Sequence, residues 1–224
     1  MAVHLDHIGI RTRNIFESAD RLRAETGLGY YDGGWNQGGN ASRIFPLGDT
    51  TYIQMAGLVD AVAALDPANT AARAQLESVR NGDVFIGFWL RADSPAEMEQ
   101  IATAHGTKVT DNPSAGRHLP NGIIQHVSGV PNGGDAHKGM PGWNYFFDMS
   151  MHPSGQPVEV APNLVRPMGV AWLEVGGSEG PMTQWLGFPS SKLSLRFNGK
   201  GPGLYAIGVK TDKGEVVIRL SPAP

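Results

Sequence analysis

The sequence predicts an α+β fold that is rich in short strands and built from a repeated order of strand, helix and about three strands. The 30 glycines and 16 prolines lie between short apolar segments and not in one low-complexity block, which is typical of many turns joining short strands. Two apolar runs are each followed by a helix with recognisable start and stop signals. Ordinary α+β alternation without an ancestral duplication is the alternative explanation of this pattern.

The first predicted unit spans residues 1–58. It begins with a strand at residues 5–10, and Asn14 can cap a helix over residues 15–26 that Gly27 ends. Strands are predicted next at residues 42–47 and 51–55.

The second predicted unit spans residues 83–152, after an intervening helix at residues 67–80. Its strand at residues 84–90 precedes a helix that has Ser94 as N-cap and Gly106 as its stop. Strand-like segments follow at residues 107–110, 122–128 and 143–151.

A third, shorter unit is predicted at residues 167–221. Its elements are a strand at 169–175, a short helix at 181–186 and strands at 193–197, 203–211 and 214–220. We expect residues 1–224 to form one domain.

The composition excludes several classes of protein. The net charge is -3, and the Lys and Arg residues form no basic stripe, so no nucleic-acid partner is expected. The absence of cysteine excludes disulfides, thiolate metal ligands and Cys nucleophiles. No apolar run is long enough for a membrane span, and the first residues lack the apolar stretch of a signal peptide. We therefore expect a soluble, cytoplasmic protein with a small-molecule ligand.

Several short motifs resemble one family. Leu-Asp-His-Ile-Gly-Ile at residues 5–10 and Thr-Tyr-Ile-Gln at residues 51–54 resemble the opening module of the vicinal oxygen chelate (VOC) superfamily, specifically its glyoxalase-like proteins. His-Pro-Ser-Gly at residues 152–155 and the segment 214–219 are also similar to that group. The resemblance implies βαβββ modules whose curled mixed β-sheets form a cup around a metal ion and a substrate. Homodimers are common in that superfamily, so the resemblance also makes a homodimer an expectation for this chain.

The resemblance implies a set of metal ligands. His7 matches the ligand position of the first strand, and Gln54 matches that of the fourth. In the second unit, Gly87 falls opposite His7 and cannot ligate a metal, whereas Asp148 falls opposite Gln54. One ligand is therefore missing from the implied set.

Strand alternation suggests a replacement for the missing ligand. If residues 122–128 and 144–152 form neighbouring strands, His126 and Asp148 can lie side by side, and such a pair can bind a divalent metal or act as an acid and base. The metal is Fe, Mn, Zn or Ni, and its identity is open. His126 or Glu159 is the predicted catalytic base.

These site residues have ordinary structural alternatives. His7 can be a plain strand histidine, a backbone group can satisfy Gln54, an Arg can pair with Asp148, and His152 can be a turn residue. Glycine-rich segments at 33–39 and 132–142 are predicted lids, and Arg43, Arg117 and His118 are candidate contacts for an anion. The residues predicted to line the substrate pocket, for which core packing is the alternative, are Trp35, Tyr52, Phe88, Trp143, Tyr145, Phe147 and His152.

The leading functional hypothesis is a metal-dependent glyoxalase-like enzyme for a small oxygen-rich or aromatic metabolite. The family resemblance implies chelation of two substrate oxygens by the metal, followed by isomerase, lyase, hydrolase or ring-cleaving dioxygenase chemistry. The alternative is a non-catalytic protein of the same fold that binds and sequesters a drug or metabolite, which the missing ligand favours. A structural or protein-interaction module is a third possibility.

Overall fold

The computed structural model describes residues 4–35, 38–48, 50–111, 117–118, 124–125, 128–130, 139–146, 149, 152–153 and 159–220. The strands are β1 (His4–Thr12), β2 (Tyr30–Trp35), β3 (Asn40–Pro46), β4 (Tyr52–Leu58), β5 (Val84–Arg91), β6 (Thr110–Asp111), β7 (Arg117–His118), β8 (Ile124–Gln125), β9 (Ser128–Val130), β10 (Gly142–Tyr145), β11 (Glu159–Ala161), β12 (Pro167–Val175), β13 (Leu195–Phe197), β14 (Leu204–Thr211) and β15 (Gly214–Arg219). The helices are α1 (Ile15–Thr26), α2 (Ala61–Leu65), α3 (Thr70–Ser78), α4 (Pro95–Ala104) and α5 (Glu179–Leu186), and a 3₁₀ helix spans Ser190–Leu193.

The larger sheet consists of two mirrored halves. Its 11 strands follow the order β6-β9-β10-β5-β1-β4-β3-β2-β7-β8, with β11 paired to β2. In each half the first strand of the unit pairs in parallel with the last, β1 with β4 and β5 with β10. The two halves meet at the antiparallel pair of β1 and β5. The predicted α+β fold of repeated modules with mixed sheets is therefore confirmed.

The sheet must curl strongly. Strand β8 lies at one end of the strand order and β9 lies one strand from the other end. Only three peptide steps separate Gln125 of β8 from Ser128 of β9, which limits their Cα separation to about 11 Å. Both ends of the sheet are therefore close together in space, and the sheet encloses a concave face.

One face of this sheet carries the hydrophobic core. Asn14 accepts hydrogen bonds from the backbone N–H groups of Phe16 and Glu17, and Gly27, with φ of 76°, ends α1 in the left-handed conformation. Helix α1 then buries its apolar side in the same core as the inward-facing residues of β1 and β4. The core residues of these three elements are Ile8, Ile10, Ile15, Ala19, Leu22, Ile53 and Met55.

A second sheet of four strands, in the order β13-β12-β14-β15, joins the same core. Trp143 of β10 meets Phe188, which follows α5, edge to face at 6.3 Å between ring centroids. Within the described residues, no helix is long and apolar enough to cross a membrane.

Three local predictions need correction. The helix expected at 67–80 is shorter, because Asn69 caps α3 at Thr70–Ser78, and a separate helix, α2 at Ala61–Leu65, is capped by Asp60 and precedes the expected range. The strand expected at 122–128 is divided, since β8 pairs with β7 whereas β9 pairs with β10. The first part of the predicted lid at 33–39 belongs to β2. The proposed neighbours His126 and Asp148 lie outside the described residues.

Candidate functional site

A β-bulge places an acidic residue at the centre of the sheet. Leu5 pairs with Leu90 and His7 pairs with Trp89, so Asp6 is an extra residue of β1 between consecutive residues of β5. A bulge of this kind interrupts the strict alternation of side chains between the two faces. Asp6 is completely buried and its carboxylate reaches the ring of the adjacent His7.

Asp6 binds three polar side chains. Its Oδ2 lies 2.6 Å from His7 Nδ1 and 3.0 Å from Asn144 Nδ2, and its Oδ1 lies 3.0 Å from His152 Nε2. Burial alone would raise the pKa of Asp6, but the hydrogen bonds and positive potential of His152 and His7 outweigh it and hold the pKa well below the usual value. Because an ionised carboxylate only accepts hydrogen bonds, both imidazole nitrogens facing Asp6 carry a hydrogen.

The ring of His7 is fixed on both faces. It stacks on Trp89 at 4.5 Å and on Tyr52 at 5.1 Å between ring centroids, with interplanar angles of 4° and 12°. The residue is 8% exposed. Among the described residues Nε2 of His7 has no hydrogen-bond partner, and in the neutral form of the ring, with its hydrogen on Nδ1, this nitrogen carries the lone pair. Such an imidazole can accept a proton or ligate a metal.

His152 completes the buried cluster from the opposite direction. It is 1% exposed and meets Tyr52 and Phe146 edge to face, at 4.9 and 4.7 Å between ring centroids. His152 is bonded to Asp6, and its predicted contact with substrate stays a prediction. A buried carboxylate held by two imidazoles is therefore the polar centre of this sheet.

The register of the strands shows which positions of the second unit are equivalent to His7 and Gln54. His7 pairs with Trp89, and Gly9 pairs with Gly87. Adding 80 to the numbers of His7 and Gly9 gives Gly87 and Trp89, so the two strands pair with each other symmetrically. Gly87 is therefore equivalent to His7, as expected. Gln54 lies opposite Gly9, and the residue opposite Trp89 is Gly142. The alignment of Asp148 with Gln54 is thus wrong, and Gly142 occupies that position.

These two glycines limit the fit of the expected metal. The described residues offer His7 Nε2 and the amide of Gln54 on one face of β1 and β4, whereas Gly87 and Gly142 offer no side chain. The indole of Trp89 lies over Gly142. Within the described ranges no group of three His, Asp or Glu side chains is arranged to hold a metal ion. The residues described therefore fit half of a ligand set and not a complete one.

The other predicted site residues are dispersed. Phe88 and Trp143 face the core and not the cup, which corrects their assignment to substrate binding. Trp35 is exposed at the end of β2, and Tyr145 is half-buried at the end of β10. Glu159 lies on β11, which β2, β3 and β4 separate from β1 in the strand order, so its role as base stays a prediction. His126, Phe147 and Asp148 lie outside the described residues.

A cavity of about 400 Å³ opens beside the stacked rings. Trp89 forms part of its wall, together with Arg11 of β1, Phe85 and Ile86 of β5 and Leu204 of the second sheet. A larger cavity, of about 670 Å³, lies at the start of α1, where Arg21 is already paired with Asp83. The smaller cavity is the one that shares a residue with the His7 stack.

Replacing Gly142 by alanine tests the position of the indole. The added Cβ would lie 2.5 Å from Cδ1 and Nε1 of Trp89, so we expect a loss of about 1–3 kcal/mol in the free energy of unfolding. Urea unfolding with near-ultraviolet circular dichroism measures this loss. Gly180→Ala, at an open position of α5, is the control and should not destabilise. Equal stability of Gly142→Ala and the wild type would contradict the packing described.

Comparisons with known proteins identify a family and similar solved structures. A family profile described as a glyoxalase-like domain matches residues 5–186. A hypothetical protein from Staphylococcus aureus has a similar solved structure, with a TM-score of 0.59, 11% identity and coverage of 98% of this chain and 86% of that one. Methylmalonyl-CoA epimerase from Mycobacterium tuberculosis gives a TM-score of 0.43 at 14% identity, over 64% of this chain and 86% of that one.

Methylmalonyl-CoA epimerase from Streptomyces coelicolor, in complex with 2-nitronate-propionyl-CoA, gives a TM-score of 0.47 at 15% identity, over 66% of this chain and 100% of that one. No curated protein sequence matches the chain. The solved structure from Staphylococcus aureus supports the fold alone. From the family match and the mirrored strand order, the chain belongs to the glyoxalase-like domain family of the VOC superfamily.

Proposed function

We propose that this chain is an enzyme that transfers a proton to and from a small-molecule substrate through His7. The observation that carries the proposal is the 2.6 Å contact between His7 Nδ1 and the buried carboxylate of Asp6, with Nε2 left without a described partner. An imidazole oriented by a carboxylate in this way is a typical general base.

Each neighbour of His7 has a role in this reaction. Asp6 fixes the tautomer in which Nε2 is the acceptor, and its negative charge stabilises the imidazolium that forms when Nε2 takes a proton. The rings of Tyr52 and Trp89 hold the imidazole in place and exclude water from its faces. A carbon acid beside a carbonyl group is the substrate that such a base serves, and isomerase and lyase reactions begin with this step.

The metal-dependent alternative also has an observation in its favour. Imidazole ligands of metals commonly donate their other ring N–H to a carboxylate, as His7 does to Asp6. His7 and Gln54 would hold an Fe, Mn, Zn or Ni ion, with His126 and Asp148 as the remaining predicted ligands. The chemistry that the ion would supply is polarisation of two substrate oxygens.

Deuterium exchange tests the proposal across a range of candidate substrates. The protein is incubated in D₂O with a panel of 2-oxo acids and hydroxyketones, and proton NMR follows exchange at carbon. We expect the wild type to exchange at least one compound and His7→Ala to lose this activity. His4→Ala is the matched control, because His4 lies on the same strand but its side chain is 41% exposed and near Asp93.

Three outcomes separate the alternatives. Exchange that survives chelator treatment and depends on His7 supports the proton-transfer enzyme. A stoichiometric metal that is lost in both His7→Ala and Gln54→Ala, together with the activity, supports the metal-dependent enzyme instead. Saturable binding without exchange of any compound supports the non-catalytic binding protein and contradicts the proposal.

A further inference from the structure

Within the described residues, Arg11 is a cation without a partner. It lies on β1 four residues after His7, so the two residues are on the same face of the strand. His7 lies opposite Tyr52 of β4, and Arg11 lies opposite Ala56. Two other arginines are paired, Arg43 with Asp32 and Arg219 with Glu174. In the described part of the chain the half-buried guanidinium of Arg11 makes no hydrogen bond, ion pair or ring contact.

The position of Arg11 is unfavourable without a ligand. Burial lowers the pKa of Arg11, since removing a guanidinium from water penalises its charged form. An unpaired charge in such a place costs free energy that an opposite charge would recover. Arg11 lines the cavity beside Trp89, so an anion bound in that cavity would supply the missing partner.

The remaining walls of the cavity define the rest of the ligand. Phe85, Ile86, Trp89 and Leu204 are apolar, and Arg11 is the one charged side chain among the described residues that line it. Its volume of about 400 Å³ falls within the range of small-molecule sites. A single guanidinium offers one positive charge, which balances a carboxylate but not a phosphate dianion, and its planar pair of donors can bind both carboxylate oxygens.

We propose that this cavity binds a small carboxylic acid with an aromatic or aliphatic body, whose carboxylate pairs with Arg11. The claim that this ligand is the substrate rests on the proposed function of His7. The claim that the ligand binds in the cavity does not depend on it. Trp89 both lines the cavity and stacks on His7, so a ligand held by Arg11 would contact the indole that packs on the imidazole. The substrate class of the enzyme is therefore an apolar carboxylic acid that contains an acidic C–H.

Calorimetric titration with phenylacetate, phenylacetamide and inorganic phosphate tests this inference. We expect phenylacetate to bind more tightly than its neutral amide and Arg11→Gln to weaken phenylacetate binding by about 10- to 100-fold. Arg11→Lys should retain part of the preference for the acid. Arg13→Gln, which removes an exposed positive charge two residues away, is the matched control and should bind as the wild type does.

The titration is repeated with His7→Ala, where the preference for phenylacetate over the amide should persist. Equal binding of the acid and the amide, or equal losses in Arg11→Gln and Arg13→Gln, would overturn the carboxylate site. Binding of phosphate in preference to phenylacetate would also overturn it. Persistence of the site in a protein without deuterium exchange would reject the proposed function and leave the carboxylate site standing.

Discussion

Replacing Asp6 by asparagine is expected to lower the free energy of unfolding by about 3–5 kcal/mol at neutral pH. The carboxylate is fully buried and accepts hydrogen bonds from His7, His152 and Asn144. Asparagine keeps the size of the side chain but replaces one acceptor oxygen by a donor. At least one of these partners must then change its tautomer or amide orientation, and the buried hydrogen bonds to an ionised carboxylate are lost.

This stabilisation should depend on pH in a defined direction. The pKa of Asp6 is lowered in the folded protein from its ordinary value of 3.8, so the unfolded chain takes up the proton first as the pH falls. The difference in stability between the wild type and Asp6→Asn should be constant above about pH 5 and should shrink as the pH falls below 3.8. Urea unfolding across this pH range measures it.

Asp93→Asn is the matched control for this experiment. Asp93 also lies near a histidine, His4, but the two side chains are 50% and 41% exposed. An exposed pair of this kind contributes less than about 1 kcal/mol. A loss in Asp6→Asn as small as that in Asp93→Asn would show that Asp6 is not an ionised partner of the two histidines.

Local signals in the sequence were sufficient for the elements that position the site. The cap at Asn14 and the stop at Gly27 gave the bounds of α1, and Ser94 accepts the N–H of Glu97 at the start of α4 as predicted. These features act between residues close in the chain, so composition and spacing reveal them. The family resemblance, which rests on residues 5–10 and 51–54, then supplied the arrangement of strands.

The polar centre could not be predicted from the same information. Strict alternation puts Asp6 and His7 on opposite faces of β1, and only the bulge against β5 allows their contact. The partners of Asp6 are equally remote, since Asn144 and His152 follow it by 138 and 146 residues. The available signal was an acidic residue beside the histidine of the motif, in a segment that is otherwise apolar.

The register error at Asp148 has a related cause. A match between Tyr-Phe-Phe-Asp at residues 145–148 and the end of the first unit relies on residue type, whereas the position of β10 is set by its backbone bonds to β5. Glycine at positions 87 and 142 gives no side-chain pattern to align. Gly87 also has φ of 131°, a conformation that residues with side chains rarely adopt, so a ligand cannot be restored there by simple substitution.

Asp6 and His7 should act as one catalytic unit in a double-mutant cycle. We expect His7→Ala to lower the rate of deuterium exchange by about 10²- to 10⁴-fold, the usual contribution of a positioned general base. Asp6→Asn should cause a loss in the same range, because an amide N–H directed at His7 Nδ1 favours the tautomer in which Nε2 already carries a hydrogen. Near-ultraviolet circular dichroism verifies that each variant is folded under the assay conditions.

The double variant distinguishes a shared role from two separate ones. If Asp6 acts on the reaction through His7, its substitution has nothing further to remove once the imidazole is absent, and the double variant should be as slow as His7→Ala. Multiplied losses would instead mean that Asp6 contributes to the reaction independently of His7. Asp6 also binds His152. A second double-mutant cycle, of Asp6→Asn with His152→Gln, shows whether the imidazole of His152 affects the rate of exchange or only the stability of the fold.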